Sequence, residues 1–166
     1  DNSIRLSNYP IFKPVLKAEN IRFEKDMLFI SPKQFKDVIT EYAVHGGWGI
    51  KFKKNDKKRV RAICQEGCKF VAYLAKISRE MSYQLKTLNL EHTCSRSYKN
   101  PRCTAKFLAK KLVKKVRCHP ELKVVEIQDA MHEKYVVQIS ASKASRARGQ
   151  AHEIFDGSYT EQYNKL

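Results

Sequence analysis

The chain has 166 residues, 42% of them hydrophobic, which suits one ordinary domain or two small ones. Lysine and arginine number 33 against 17 acidic residues, so the net charge is +16 and the isoelectric point is near 9.7. This balance works against a pocket for a neutral ligand and favours a polyanion, nucleic acid before a membrane surface or heparin-like chains. The alternative is that the charge only confers solubility.

Hydropathy and cysteine usage narrow the class of protein further. No apolar run reaches the roughly 20 residues that span a bilayer, and no secretory signal pattern opens the sequence. We therefore expect a soluble protein that is not exported and not bound to a membrane. The five cysteines are an odd number, which argues against a disulfide framework and for metal binding or free thiols.

The first half of the chain predicts a lead-in and one helix. Residues 1–30 show no sustained period and indicate an irregular lead-in, with a short strand around 27–30. Ser31-Pro32 is a helix start, because a capping hydroxyl precedes a proline at the first helical position. Gly46-Gly47 is a helix stop.

A change from period 3.6 to period two predicts a sheet after this helix. Apolar residues alternate with lysine and arginine on both sides of a turn at residues 54–57, which indicates two strands. Residues 70–77 and 82–90 indicate two more strands. We therefore predict a four-stranded antiparallel sheet over about 49–91.

The second half predicts helices after a polar connector. Thr104 caps a helix with a continuous apolar side and a lysine-rich remainder, which ends at His119-Pro120. A further helix lies around Val124, and another runs from Ser140 or Ser142 to about Phe155. Asp156-Gly157 is expected to stop that helix, with a short one to follow over 159–166. The fold class is α+β, with a lead-in at 1–30, a helix plus β domain at 31–98 and a small helical bundle at 99–166.

One constellation has the spacing of a metal site: Cys64-x3-Cys68, a 23-residue gap, then His92-x-Cys94. Zinc prefers four thiolate or imidazole ligands in a tetrahedron, and two tight pairs supply its two edges. Gly67 fits the turn that the first pair needs, and residues i and i+2 of an extended segment face the same way. We predict one structural Zn²⁺ with no open position, which staples the sheet; ordinary buried cysteines and a surface histidine are the alternative.

The other two cysteines fall outside this pattern. Cys103 lies in the connector and Cys118 follows the lysine-rich helix. We interpret both as plain thiols, and the alternative is that one of them replaces an assigned ligand.

A basic cluster surrounds the predicted turn between the first two strands. Solvated surfaces normally mix charge signs, whereas this cluster is opposed only by Asp56. A two-stranded ribbon fits the major groove of DNA, where most of these side chains would bind phosphate and Asn55 could contact adenine. A solvated face or a nuclear import signal is the alternative. The candidate DNA-binding residues are Lys51, Lys53, Lys54, Asn55, Lys57, Lys58, Arg59 and Arg61.

Together, the run from Ile50 to Ala62, the pair Cys64 and Cys68 with Gly67, and His92-Thr93-Cys94 resemble a known family. They are similar to the N-terminal DNA-binding region of plant Mutator-like element (MuDR-type) transposases or their domesticated derivatives. That region resembles the WRKY-type zinc finger, which glial-cells-missing and FLYWCH domains share. The resemblance covers nearly the whole chain, because the segment from Ile139 to Tyr163 resembles the part that precedes the transposase catalytic domain.

The resemblance implies that the strand Lys51–Asn55 enters the major groove of DNA in the nucleus. The WRKYGQK heptad is absent, although Trp48 stands near its place, and the spacing from Trp48 to Cys64 is shorter than in plant WRKY factors. Base readout is therefore not carried over residue by residue. The acidic catalytic triad of these transposases lies in a later domain and is not evident here.

Two interpretations of the helical half remain open. In one, the second and third helices form a helix-turn-helix-like pair in which Lys143, Arg146 and Arg148 touch DNA. In the other, the bundle is a spacer or a homodimerisation element. The lysine-rich side of the first helix, over 106–117, adds phosphate contacts in either case.

The function that we predict is sequence-preferring binding of double-stranded DNA, by a transposase at its terminal inverted repeats or by a derived transcription factor. An RNA-binding or protein-interaction module with a structural zinc is the alternative. A nuclease using His45, His119, His132 or His152 is disfavoured, because no partner lies at a telling spacing. We predict that this fragment is not an enzyme.

Overall fold

The computed structural model describes residues 8–165, and these residues form two compact units that divide between Arg96 and Ser97. Part of the predicted lead-in, residues 1–7, and the last residue of the predicted final helix, Leu166, lie outside the described residues. None of the described helices is long and apolar enough to cross a bilayer.

The first unit contains a single 3₁₀ turn, one helix and five strands in its described part. The turn is Ala18–Asn20 and the helix α1 is Pro32–Gly46. The strands are β1 (Leu28–Phe29), β2 (Lys51–Asn55), β3 (Arg59–Ile63), β4 (Val71–Lys76) and β5 (Tyr83–Asn89). All neighbours are antiparallel, in the order β1-β5-β4-β3-β2. The α+β fold class is confirmed, with five strands in place of the predicted four.

The fifth strand is the short segment predicted around 27–30. Leu28 and Phe29 pair with Gln84 and Tyr83 at the free edge of β5. Periodicity reports only on local structure. Because the partner of β1 lies more than 50 residues along the chain, periodicity could not reveal this pairing.

Capping at both ends fixes α1 where the sequence predicted it. The Ser31 hydroxyl accepts a hydrogen bond from the Gln34 amide at 3.1 Å, and Pro32 occupies the first helical position. At the other end Gly47 has φ 75°, a left-handed conformation that glycine adopts without strain.

The core of the first unit lies between α1 and one face of the sheet. Phe35, Ile39 and Ala43 of α1 belong to the same buried cluster as strand residues such as Val60 and Leu74. The lead-in also contributes, because residues such as Phe12, Ile21, Phe23 and Met27 are buried in this cluster. The lead-in is mostly irregular, as predicted, yet it supplies core that a four-stranded sheet would lack.

The second unit, as far as it is described, is built from three helices: α2 (Ala105–Cys118), α3 (Val124–Tyr135) and α4 (Ala141–Tyr163). The Thr104 hydroxyl caps α2 by accepting from the Phe107 amide at 3.1 Å. Leu108, Leu112 and Val116 of α2 are buried, and α2 packs mainly against α4, whose buried residues are alanines. Alanine side chains let these two helices approach closely, and buried residues of the connecting segments, such as Leu122, Val137 and Ile139, complete the core.

The prediction that Asp156-Gly157 ends the last helix is wrong. Helix α4 continues through Gly157 to Tyr163, and Gly157 does not have a positive φ. A glycine within a helix costs only about 1 kcal/mol relative to alanine. The helical turns on both sides outweigh that cost, so Ala141–Tyr163 is one continuous helix and no separate helix follows among the residues described up to 165.

Candidate metal centre and nucleic-acid interface

The structure brings together the four residues that the spacing selected as ligands. The ligand atoms of Cys64, Cys68, His92 and Cys94 all lie within 4.8 Å of one another. The Cys64 Sγ to Cys94 Sγ distance is 3.5 Å. The Cys68 Sγ and Cys94 Sγ atoms lie 3.6 and 4.0 Å from His92 Nδ1. All five cysteines of the chain are free thiols.

These distances fit a tetrahedral metal ion. Metal–sulfur bonds of about 2.3 Å and metal–nitrogen bonds of about 2.0 Å require ligand separations of roughly 3.5–3.8 Å at the tetrahedral angle. The Cys64–Cys94 and Cys68–His92 separations of 3.5 and 3.6 Å lie in that range, the Cys94–His92 separation of 4.0 Å is slightly longer, and three sulfurs with one imidazole nitrogen supply four ligands. Cys103 and Cys118 are not members of this group, and Cys103 lies in the second unit. The cluster is therefore a Cys₃His group that could hold one metal ion with four protein ligands.

The local backbone explains how the first ligand pair forms. Cys64 follows β3 directly, and the Cys68 amide donates to the Gln65 carbonyl at 3.0 Å to close a turn. Gly67 has φ 79°, which is why glycine stands before Cys68, while an added Cβ there would meet nothing within 4 Å.

Thr93 ties the two ligand pairs to each other. Its hydroxyl donates to the Gly67 carbonyl at 3.2 Å and accepts from the Lys69 amide at 3.3 Å. Lys69 Nζ also lies 3.2 Å from Glu91 Oε1. The residue between the two later ligands therefore fixes the turn that carries the earlier ones.

The imidazole of His92 is oriented by aromatic neighbours. Its Nε2 lies 2.9 Å from the Tyr42 hydroxyl, so the Nδ1 atom faces the thiols. The ring stacks on Trp48 with centroids 3.8 Å apart and on Phe70 with centroids 4.7 Å apart. Arg96 in turn lies 5.1 Å over the Trp48 ring. An outer partner on the second nitrogen is the usual device that fixes a ligating histidine.

The surroundings of the three thiols in the cluster shift their pKa values in different directions. Burial raises the pKa of Cys64, and it raises the pKa of Cys94 to about 12. Burial opposes ionisation of Cys68 as well, but hydrogen bonds from the backbone amides of Phe70 and Thr93 and from the Cys94 and Cys64 thiols together outweigh it and lower its pKa to about 7. Burial also lowers the pKa of His92, with the Arg96 charge adding to the effect. The neutral imidazole favoured here is the form that binds a metal.

The basic cluster lies on the hairpin β2–β3, as the sequence predicted. β2 is an edge strand, and all of the predicted DNA-binding residues from Lys51 to Arg61 are exposed. A β-bulge between Phe52 and Lys54 leaves Lys53 without a strand partner. The bulge brings Lys51 and Lys54 to the same face, because they pair with Ile63 and Arg61, two residues of β3 that share one face.

That face is the one opposite α1 within the first unit. Val60 and Ala62, on the other face of β3, are fully buried against the core. Arg61 lies 5.8 Å over the Tyr73 ring of the neighbouring strand and is exposed there. Lysine and arginine therefore project from one face and one edge of a strand pair whose other face is anchored in the core.

The hairpin turn is rigid because Asp56 closes it. Its Oδ1 accepts from the amides of Lys58 and Arg59, both at 2.8 Å, and its Oδ2 lies 3.2 Å from the Arg59 guanidinium. Asn55 at the end of β2 is also engaged, because its Oδ1 accepts from Lys36 Nζ of α1 at 3.1 Å. The backbone amide partners of Asp56 and the Lys36 partner of Asn55 were not predictable from charge alone.

The three candidate residues of the helical half have different surroundings. Lys143 and Arg148 are half-buried, and Arg146 is exposed. Arg148 donates to the Leu122 carbonyl at 2.9 Å, so its guanidinium ties α4 to the segment before α3. The structure therefore gives Arg148 a contact within the unit that the helix-turn-helix interpretation did not include.

The comparisons with known proteins add a family to this geometry. The search of solved structures finds a crystal structure of AFT2 in complex with DNA, at 19% sequence identity and a TM-score of 0.41, covering 74% of this chain and 92% of that chain. That likeness is too weak to assign a fold or a partner. The comparison with curated proteins found no match. Residues 20–85 match the model of the DNA-binding domain of the MuDR family transposases, so the resemblance and the prediction of DNA binding are confirmed for the segment that contains the basic hairpin.

Proposed function

We propose that the first unit binds double-stranded DNA by placing the β2–β3 hairpin in the major groove. The observation that carries this proposal is the bulge, which brings Lys51, Lys54 and Arg61 onto one exposed face of a rigid two-stranded ribbon. A ribbon of this width fits the major groove, and its basic side chains reach phosphate oxygens and guanine edges.

The hairpin residues divide by their surroundings. Lys53, Lys57 and Lys58 are assigned to phosphates, since they are exposed at the bulge and the tip. Arg59 is held by Asp56, and its role is to shape the turn as well as to contact phosphate. Asn55 is in register with Val60 and its Oδ1 accepts from Lys36, so it lies on the α1 side of the ribbon. At the hairpin tip we assign its amide hydrogens to acceptors on purine edges.

The metal is Zn²⁺, one ion with a structural role. Three thiolates and one imidazole are a donor set that zinc prefers. Because these four ligands fill the tetrahedron, no coordination position is open for a substrate. The ion would hold the ends of β3 and β5 together beside the hairpin. Cobalt substitution tests its geometry, because a tetrahedral sulfur-rich site gives intense visible absorption, whereas octahedral coordination would not.

The RNA-binding alternative requires exposed aromatic rings for base stacking. Phe52 is the aromatic residue within the basic hairpin, and it is half-buried against the core. This packing favours duplex DNA over single strands. We infer a nuclear location from the partner, and we assign no catalysis to the residues of this chain.

The family match over residues 20–85 supports two proposed biological settings. The chain serves a transposase at its terminal inverted repeats, or a transcription factor derived from one. Selection from random duplexes in the presence of zinc tests sequence preference, with an enriched motif expected. Competition by single-stranded DNA and RNA tests the alternative, and equal competition by either would contradict the proposal. If the selected duplexes share no motif, the chain binds DNA through electrostatic attraction only, without sequence preference.

A homodimer through the helical unit has one observation in its favour. Phe155, Tyr159 and Tyr163 recur at every fourth position of α4, and the last two are 56% and 76% exposed. A second copy of α4 would cover this aromatic row. Sedimentation equilibrium of the chain and of Tyr159→Glu tests it: a dimer that the substitution dissociates is expected, and a monomeric parent chain would contradict it.

A further inference from the structure

The second unit carries a strongly charged surface that the hairpin proposal does not use. Residues 97–166 contain 14 basic and 7 acidic side chains. Helix α2 contains 6 of the basic residues and none of the acidic ones, which leaves 8 against 7 in the rest of the unit. The positive charge of this unit therefore belongs to one helix.

Four of these side chains form a row, which we call the α2 row: Lys106, Lys110, Lys114 and Arg117. At 100° per residue they fall within an arc of about 80°, with steps of roughly 6 Å along the helix axis. All four are exposed, and the structure gives them no ion pair among the residues that it describes. The opposite side of α2 contains Leu108, Leu112 and Val116, which are buried.

The row is unfavourable for the helix that carries it. Like charges four residues apart repel one another, and a lysine in the first turn faces the positive end of the helix dipole. No acidic residue of α2 offsets the repulsion, and within the row only Arg117 lies in the last turn, where the helix dipole favours a positive charge. A solvated face that served solubility alone would gain from mixed signs, so the single sign points to a polyanion that relieves the repulsion.

A helix-turn-helix contact with DNA fits the charges of the second unit less well than a contact through the α2 row. Arg148 is engaged by the Leu122 carbonyl, and Lys143 is half-buried. Helix α3, which would cross the DNA backbone, instead exposes Glu126, Asp129 and Glu133. Acidic side chains there would repel phosphates.

We propose that the second unit binds the phosphate backbone of duplex DNA through the α2 row, independently of sequence. This proposal extends the proposed function, because it rests on duplex DNA being the partner of the chain. The row, about 16 Å long, would lie along a duplex that carries one charge per roughly 1.7 Å of axis. Sequence preference would come from the hairpin, and the row would add affinity.

The test uses the whole chain and a fluorescent duplex, with binding measured as a function of salt. In the row variant all four residues become glutamine: K106Q, K110Q, K114Q and R117Q. Each lost phosphate contact lowers the log–log salt slope by about 0.9, so we expect a fall of about 3 to 4 and at least a tenfold loss of affinity. We also expect the melting temperature to stay the same or rise, because the repulsion is removed.

A matched variant separates the row from net charge. K99Q, K123Q, K134Q and K165Q remove the same four charges from exposed positions outside α2. Only a small change of slope is expected for this set. If both variants lower the slope equally, only net charge matters and the proposal is overturned.

A hairpin variant, K51Q with K53Q and K54Q, distinguishes the two proposals. If it loses affinity while the row variant keeps the wild-type slope, the row proposal fails and the proposed function stands. If the row variant loses affinity while the hairpin variant binds as the wild type does, the proposed function fails. If the row variant loses only its binding to phosphatidylserine vesicles, the row serves a membrane surface and the proposal is overturned.

Discussion

The two units of this chain reach stability by different means. The first has a core of aromatic and aliphatic side chains under a charged sheet, with a Cys₃His cluster at the sheet's end. The second has no member of that cluster and depends on helix contact around leucine, valine and alanine. We therefore expect loss of the metal to unfold the first unit and to leave the second unit folded.

Removing the metal should produce the largest difference in stability between the two units. Structural zinc contributes on the order of 10–16 kcal/mol of apparent binding free energy, so a strong chelator should unfold residues 49–95. Amide signals of residues 97–166 should stay in place in two-dimensional NMR spectra and serve as the internal control. Unchanged dispersion in 49–95 after the metal is gone would show that the hydrophobic core suffices.

Truncation in the helical core should produce the reverse pattern. Leu112 is fully buried in α2, so Leu112→Ala should lower the free energy of unfolding of the second unit by about 2–5 kcal/mol. The first unit should melt as before. Leu16→Ala is the matched control, because Leu16 is fully exposed and its loss should change stability by less than about 0.5 kcal/mol. A loss that both units share would contradict their independence.

The outer partner of His92 gives a smaller effect. Tyr42→Phe removes the hydroxyl that lies 2.9 Å from His92 Nε2 and keeps the ring, so metal affinity should fall about 10- to 100-fold. Competition against a chromophoric chelator measures it. Tyr73→Phe, on the sheet face opposite α1, should leave affinity unchanged. Equal affinities for the two variants would mean that the aromatic stack alone orients the imidazole.

The smallest effect concerns strain in the helical unit. Val136 ends α3 with φ 54°, a left-handed conformation that costs a β-branched residue about 1–2 kcal/mol. Val136→Gly should therefore raise the stability of the second unit by about 1 kcal/mol in chemical denaturation. Val125→Gly, within α3, should lower it. A loss of stability on changing Val136 would show that its side chain contributes more than its backbone costs.

Local signals predicted much of this molecule. Ser31-Pro32, Gly47 and Thr104 act through neighbouring backbone groups, so α1 begins and ends, and α2 begins, where the sequence predicts. The grouping of Cys64, Cys68, His92 and Cys94 was predictable because they form two tight pairs of metal-binding residue types. The long-range features were not: the pairing of β1 with β5, the burial of Phe12 and the Tyr42–His92 contact depend on residues far apart in sequence.

The hairpin shows the same division at one site. Its charge and its turn could be predicted from the sequence. The bulge at Lys53 depends on strand register, and the Lys36–Asn55 hydrogen bond depends on where α1 packs. Gly157 failed as a stop signal because a single glycine costs less than the helix on either side gains.

In the proposed function, the metal site supports the fold while the hairpin contacts DNA. Anisotropy binding to a selected duplex, with NMR dispersion recorded on the same samples, tests this most directly. Lys53→Gln combined with Lys54→Gln should keep the dispersion of the parent chain and lose roughly tenfold or more in affinity, whereas Cys64→Ser should lose both. A hairpin variant that folds and binds DNA as tightly as the parent chain would contradict the account.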